Sequence, residues 1–140
     1  MLNNKPEKKG DLSGLKILLA EDDEINRIVV KKILENKGVD VLCASDGYIA
    51  VEMYEKDDNI DLVLMDIQLP GMDGIQTTAK IRDIQNSKKR NVPVVALTAY
   101  AMNGNREYFL SMGLDDYSTK PINIDQLVEI ILKHVAKKDS

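Results

Sequence analysis

The chain has no tryptophan, one phenylalanine, one cysteine and one histidine among its 140 residues. A lone cysteine excludes an internal disulfide and leaves no thiol cluster for a metal. Cys43 sits in the apolar run "VDVLCAS" and reads as a small core residue. The single histidine, His134, falls beside the apolar stripe of the last helix and reads as a surface residue without a role. An excess of positive charge is also lacking, with 19 lysines and arginines against 23 acidic residues. The formal net charge of -4 argues against a basic surface for nucleic acid. No apolar run approaches the roughly 18 residues of a membrane span, and no signal-peptide pattern precedes the domain, so the expected location is the cytoplasm. Both glycine-rich phosphate cradles, GxxxxGK[ST] and GxGxxG, are missing, which removes the support for nucleotide binding.

With 44% hydrophobic and 30% charged residues, the composition is that of one soluble domain with a real core. Residues 1–14 are polar, hold Pro6 and two glycines, and read as a tail or linker. Residues 15–136 make the domain and 137–140 a short tail. Within the domain, "LKILLA", "VDVLCAS", "DLVLMD", "PVVALTA" and a stretch around "DDYSTK" read as five strands. They alternate with five helices. The first helix has Ile25, Ile28, Val29, Ile33 and Leu34 near helical spacing, with Gly38 closing it. Asp23 and Glu24 suit its start, Asp46 or Ser45 caps the second, and Asn103 is placed to cap the fourth. In the last helix Ile124, Leu127, Val128, Ile131, Leu132 and Val135 share a face, with Asn123 and Gln126 at capping-box spacing. Met65 and Met112 read as core, Met72 and Met102 as loop residues.

Strands alternating with helices imply a parallel sheet covered on both faces, so the strands should be apolar throughout. In such α/β sheets ligands bind beyond the carboxyl ends of the strands, where strand order reverses. Strand one ends on Glu21, Asp22 and Asp23, strand three on Asp66, strand four on Thr98, and Lys120 follows strand five. Carboxylates this close raise one another's pKa unless a cation intervenes. A hard divalent ion such as Mg²⁺ (or Mn²⁺) relieves the conflict with one or two carboxylates and waters. A carboxylate can also attack phosphorus, and a metal, a lysine and a hydroxyl can then neutralise the phosphoryl oxygens. Asp66 is the candidate nucleophile, and the Pro–Gly turn after it leaves the site open.

The segments "ILLAEDDEINR", "LVLMDIQLPGMDG", "VPVVALTAYA" and "DDYSTKPI", in that order and spacing, resemble the receiver domain of two-component response regulators over about residues 15–136. The resemblance implies a flavodoxin-like doubly wound sheet of order 2-1-3-4-5. It implies Asp66 as phosphoacceptor, with Mg²⁺ on Asp66, Asp22 and the backbone carbonyl of Gln68, and Glu21 acting through water. Thr98 would be the switch hydroxyl, Lys120 the phosphate-pairing lysine, and Tyr117 the aromatic that turns inward. It also implies a cis bond at Lys120–Pro121. Glu21 stands where many receivers have Asp, and Tyr100 occupies a variable position beside the site. "EDDEINR" and "ALTAYAMNGNREYFLSMGLDDYSTKPI" look most like receivers carried by hybrid histidine kinases. The partner implied is a histidine kinase or histidine phosphotransfer domain, with no nucleic acid and no membrane contact.

The function implied is thus a phosphoacceptor switch with self-catalysed transfer and dephosphorylation, not a turnover enzyme. A stand-alone single-domain regulator is an alternative parentage. A haloacid-dehalogenase-like phosphatase is an alternative of another class, but such enzymes carry a second Asp where this chain has Gln68. A receiver-like module acting only by contact is disfavoured by Asp22, Asp66, Thr98 and Lys120 all being present.

Overall fold

The computed structural model describes residues 12–99 and 105–139. Five strands, β1 (Lys16–Ala20), β2 (Asp40–Ala44), β3 (Leu62–Asp66), β4 (Val94–Thr98) and β5 (Asp116–Thr119), form one sheet of order β2-β1-β3-β4-β5. Every neighbouring pair is parallel. The expected topology is therefore present, with β3 at its centre. Helices α1 (Glu24–Asn36), α2 (Gly47–Lys56), α3 (Gly74–Arg82), α5 (Asn105–Ser111) and α6 (Ile124–Asp139) match the five expected. A sixth, α4 (Ser87–Arg90), is a single turn capped by Asn86, which accepts the Lys88 and Lys89 amides. Its all-polar sequence carries no apolar period, so it was not expected.

Strand parity divides the core. Ile17, Leu19, Leu62, Leu64, Val95 and Leu97 point to one face, packed by α1 and α6. Leu18, Ala20, Val63, Met65, Val94 and Ala96 point to the other, under α2, α3 and α5. Both faces of β3 and β4 are buried, as an all-parallel sheet requires. Continuing the alternation assigns Glu21 and Asp66 to the α1/α6 face, and Thr98 and Tyr117 to the opposite one.

Local chemistry sets the helix ends. Asp23 accepts the Ile25 and Asn26 amides and Asp46 accepts that of Ile49, so Asp46 rather than Ser45 caps α2. Asp73 and Gln76 form a complete capping box on α3, while Asn123 accepts the Gln126 amide on α6. Gly38, at φ 93°, follows the end of α1 and lets the Val39 amide turn back to Leu34. Lys89 secures the far end of α2: its ammonium donates to the carbonyls of Tyr54, Glu55 and Asp57 and lies 4.8 Å over the Tyr54 ring. In return the Tyr54 hydroxyl donates to the Lys89 carbonyl at 2.6 Å.

Several expectations need correction. The tail does not reach residue 14, because Leu12 is buried in the core and its amide bonds Lys37. Nor does a tail begin at 137, since α6 continues to Asp139. His134 is not a surface residue; it is 8% exposed, with Nε2 2.9 Å from Asp116 Oδ2. It stands three residues after Ile131 and seven after Leu127, which is the buried stripe's own spacing. A partner on β5 makes burial of its polar end tolerable. Asp116 also accepts from Arg106 on α5 and from the Tyr117 amide, and these contacts hold its carboxyl below the usual range although burial pushes it upward. Met112 is 40% exposed rather than core. Met65 is fully buried, and Met72 is buried within its loop. Cys43 is half-buried against the α1/α6 core, with its thiol pushed up by burial. The positions of Tyr100, Met102 and Asn103 lie outside the described residues.

Candidate functional site

Three backbone pairings bring the polar residues together. Asp66 ends β3 beside Leu97 of β4, Ala20 of β1 pairs with Met65, and the Lys120 amide donates to the Thr98 carbonyl at 2.8 Å. Strand ends from four segments thus meet at one edge of the sheet. The Lys120 ammonium lies 3.0 Å from Glu21 Oε1 and 3.1 Å from Asp66 Oδ2. The Lys120–Pro121 bond is cis. Asp66 Oδ1 accepts the Gln68 amide at 3.0 Å, which ties the carboxylate to the loop carrying the Gln68 carbonyl.

Burial makes this cluster electrostatically tense. Glu21 is 1% and Asp66 5% exposed, while Asp22 faces solvent. Burial pushes the Glu21 carboxyl upward; Lys120 opposes that shift and Asp66 reinforces it. Lys120 moves up as well. Burial alone would lower it, but two carboxylates at contact distance more than offset the penalty. One ammonium therefore serves two buried carboxylates, and the third carboxylate stands beside them.

Glu21, Asp22 and Asp66 each offer an oxygen within 4.8 Å of the others. Glu21 Oε1 has the Lys120 charge beside it but, among the described residues, no donor aligned for a hydrogen bond. An all-oxygen donor set with excess negative charge and an under-satisfied buried oxygen suits a hard divalent cation. Asp23 is not among these groups; its Oδ1 accepts the Ile25 and Asn26 amides at the start of α1. Thr98 is buried at the end of β4. Tyr117 is half-buried, with its ring 5.8 Å from that of Phe109 on α5.

Sequence periodicity missed a neighbouring feature. Ile25, Ile28 and Val29, which read as part of an inward stripe, are 72%, 56% and 48% exposed; Val30 and Leu34 are the buried pair. Val29 and Ile124, both exposed, border a cavity of about 270 Å³ beside this face. Val30, Ile33, Pro121 and Ile122 line it, and Glu21 and Lys120 reach it from the acidic cluster. Periodicity locates an apolar face but does not say whether the chain's own core covers it.

Comparison with known proteins agrees with this geometry. The response regulator receiver domain family matches residues 17–132. Hybrid signal transduction histidine kinase I of Dictyostelium discoideum is 40% identical over 126 residues, which is 87% of this chain and 7% of that protein. The chain spans only 7–14% of the length of the first curated relatives it matches, which are that hybrid kinase and two GacS sensor proteins of Pseudomonas. Among solved structures, the receiver domain of a Pseudomonas aeruginosa sensor histidine kinase is 38% identical with a TM-score of 0.79. The match covers 89% of this chain and 99% of that one, which was solved with magnesium in its active-site cleft. The receiver of Saccharomyces cerevisiae Ssk1, crystallised with the histidine phosphotransfer protein Ypd1, is 28% identical with a TM-score of 0.80 over 89% of this chain and 90% of that one. A five-stranded parallel sheet with an acidic cluster and a lysine at its carboxyl edge, matched across most of its length, places this chain in the response regulator receiver domain family.

Proposed function

We propose that this receiver accepts a phosphoryl group from a phosphohistidine onto Asp66, as the receiver segment of a hybrid histidine kinase, in the cytoplasmic part of a membrane sensor. The observation that carries the reading is Asp66 itself, a buried carboxylate on the central strand 3.1 Å from Lys120 and grouped with Glu21 and Asp22. Asp22, Asp66 and the Gln68 carbonyl would hold Mg²⁺, with Glu21 acting through water. Bound there, the cation supplies positive charge to the phosphoryl oxygens.

Transfer forms a bond from an Asp66 carboxylate oxygen to phosphorus as the phosphorus–nitrogen bond to the donor imidazole breaks. A carboxylate nucleophile needs no general base, so the work of the site is positioning and charge neutralisation. Lys120 pairs a phosphoryl oxygen, having first kept Asp66 and Glu21 compatible. The Thr98 hydroxyl moves toward the phosphoryl group, and Tyr117 turns inward in its place. These residues belong to the face packed by α5, so a charge gained beside α1 and α6 is read on the other side of the sheet. The switch biases an existing equilibrium by the difference in affinity between its states. Turnover of an outside substrate is not its task.

The partner is a histidine phosphotransfer domain or kinase domain presenting an apolar helical surface to Ile25, Ile28, Val29 and Ile124 beside the site. Incubation with acetyl phosphate and Mg²⁺, followed by intact mass measurement, tests the chemistry. Wild type should gain one acid-labile phosphoryl group and folded Asp66→Asn none. Phosphorylation of Asp66→Asn at the wild-type level would place the nucleophile elsewhere. Ile28→Glu should slow transfer from a phosphotransfer protein while leaving the small-donor reaction unchanged.

A further inference from the structure

The loop after the acceptor is compressed from the side of α3. Ile67, the residue after Asp66, is held from two sides: its amide donates to the Leu97 carbonyl of β4, and its carbonyl accepts the Gly74 amide of α3 at 2.9 Å. Gly74 is the first residue of α3, is buried, and has no positive φ. An alanine there would be conformationally ordinary but sterically impossible without movement. Its methyl carbon would fall on the Asp66 carbonyl oxygen, far inside contact distance, and 2.8 Å from Ile67 Cα. Both obstacles are backbone, so no side-chain rotation relieves them.

We infer that Gly74 is a positioning residue for the acceptor site, resting on the assignment of Asp66 and the Gln68 carbonyl above. Its missing side chain lets α3 begin directly on the Asp66–Ile67 peptide, and that contact sets where the Asp66 carboxylate and Gln68 carbonyl stand. The helix is poorly able to yield. Asp73 and Gln76 close its capping box, and the buried Thr77 and Thr78 hydroxyls donate to the Asp73 and Gly74 carbonyls at 2.7 and 2.8 Å. The strand end, by contrast, opens into a loop. A methyl at residue 74 therefore displaces the ligand-bearing peptide by about an ångström, a shift of the size that costs about 10²-fold in an aligned site. Magnesium, which demands near-ideal octahedral geometry, is sensitive to such a displacement.

Gly47 provides an internal control. A methyl there would meet the Met72 carbonyl and the Thr77 hydroxyl, with Met72 Cβ at 2.8 Å. The crowding is at least as severe, but it strikes Thr77 of α3 and the loop six residues beyond Asp66. Metal-free thermal unfolding and titration with Mg²⁺ alone are compared for wild type, Gly74→Ala and Gly47→Ala. Both variants should melt earlier than wild type. Gly74→Ala should raise the Mg²⁺ Kd at least tenfold and move the Ile67 and Gln68 amide resonances before metal is added. Gly47→Ala should keep its Kd within twofold. If Gly74→Ala is largely unfolded, the rise of its melting temperature with Mg²⁺ concentration reads the same Kd through linkage. A Gly74→Ala Kd within twofold of wild type, or an equal loss in both variants, overturns the inference. Failure of wild type to bind Mg²⁺ overturns the acceptor reading and this inference with it.

Discussion

Replacing Lys120 with methionine keeps the length of the side chain and removes the charge between Glu21 and Asp66. At 3.0 and 3.1 Å, and with an effective dielectric of about 20, each ion pair has a Coulomb energy of about 5 kcal/mol. Desolvating the three groups costs several kcal/mol apiece, so the gross attraction does not give the net effect. Proton uptake does. Once the ammonium is gone, the lowest-cost escape is for Glu21 to bind a proton and share it with Asp66. Burial already pushes Glu21 in that direction. Against an unfolded carboxyl near 4.3, holding that proton costs about 3.7 kcal/mol at pH 7 and about 1 kcal/mol at pH 5.

The sign follows from proton counting. Between the unfolded pKa and the raised folded one, the folded variant binds one more proton than the unfolded chain. Its stability therefore falls by about 1.4 kcal/mol for each unit that pH rises. Urea unfolding followed by circular dichroism in EDTA at pH 5, 6 and 7 measures this. The deficit of Lys120→Met relative to wild type should grow by about 2–3 kcal/mol from pH 5 to 7. The pH-dependent part should vanish in Lys120→Met/Glu21→Gln. A deficit that is constant across this range would refute the reasoning and assign Lys120 a packing role.

Asp22→Ala should weaken Mg²⁺ binding in a calorimetric titration. Asp23→Ala should leave it intact and cost about 1 kcal/mol of stability, because the Asp23 carboxylate caps α1; equal loss of Mg²⁺ affinity in both would shift the acidic register by one. Burial raises the Tyr54 phenol to about 12. An absorbance titration should show one of the five tyrosines ionising well after an unperturbed phenol, and Tyr54→Phe should remove that late step.

The strands and the clustering of the candidate site were legible because their signals are local. Unbroken apolar runs such as "LVLM" can only be buried strands or helix segments, and their lengths and bounding turns selected strands. Asp66, Glu21 and Asp22 stand at the ends of those runs. Lys120 was placed beside them by its position after β5 and by the family resemblance. What escaped was set by distant partners. His134 looked superficial until β5 brought Asp116 to it, and no spacing within α6 announces that pair. Ile25, Ile28 and Val29 were legible as apolar but not as exposed. Met112 shares this ambiguity, since one methionine near a helix end has no pattern to orient it. The crowding at Gly74 was invisible because it depends on how closely α3 approaches a strand end.

The central position of β3 has a consequence for where deformation can occur. Its neighbours on both sides are themselves flanked by strands, so opening its backbone requires disrupting nearly the whole sheet. Local unfolding is costliest in such a strand and easiest at edges and short helices. Upstream of Asp66 the backbone is thus held by the whole sheet and can give only on its loop side, while Tyr117 lies on edge strand β5 against the two-turn helix α5. Under the function proposed above, a charge added at Asp66 would be opposed by the sheet behind it, and the strain would be relieved in the softer margin.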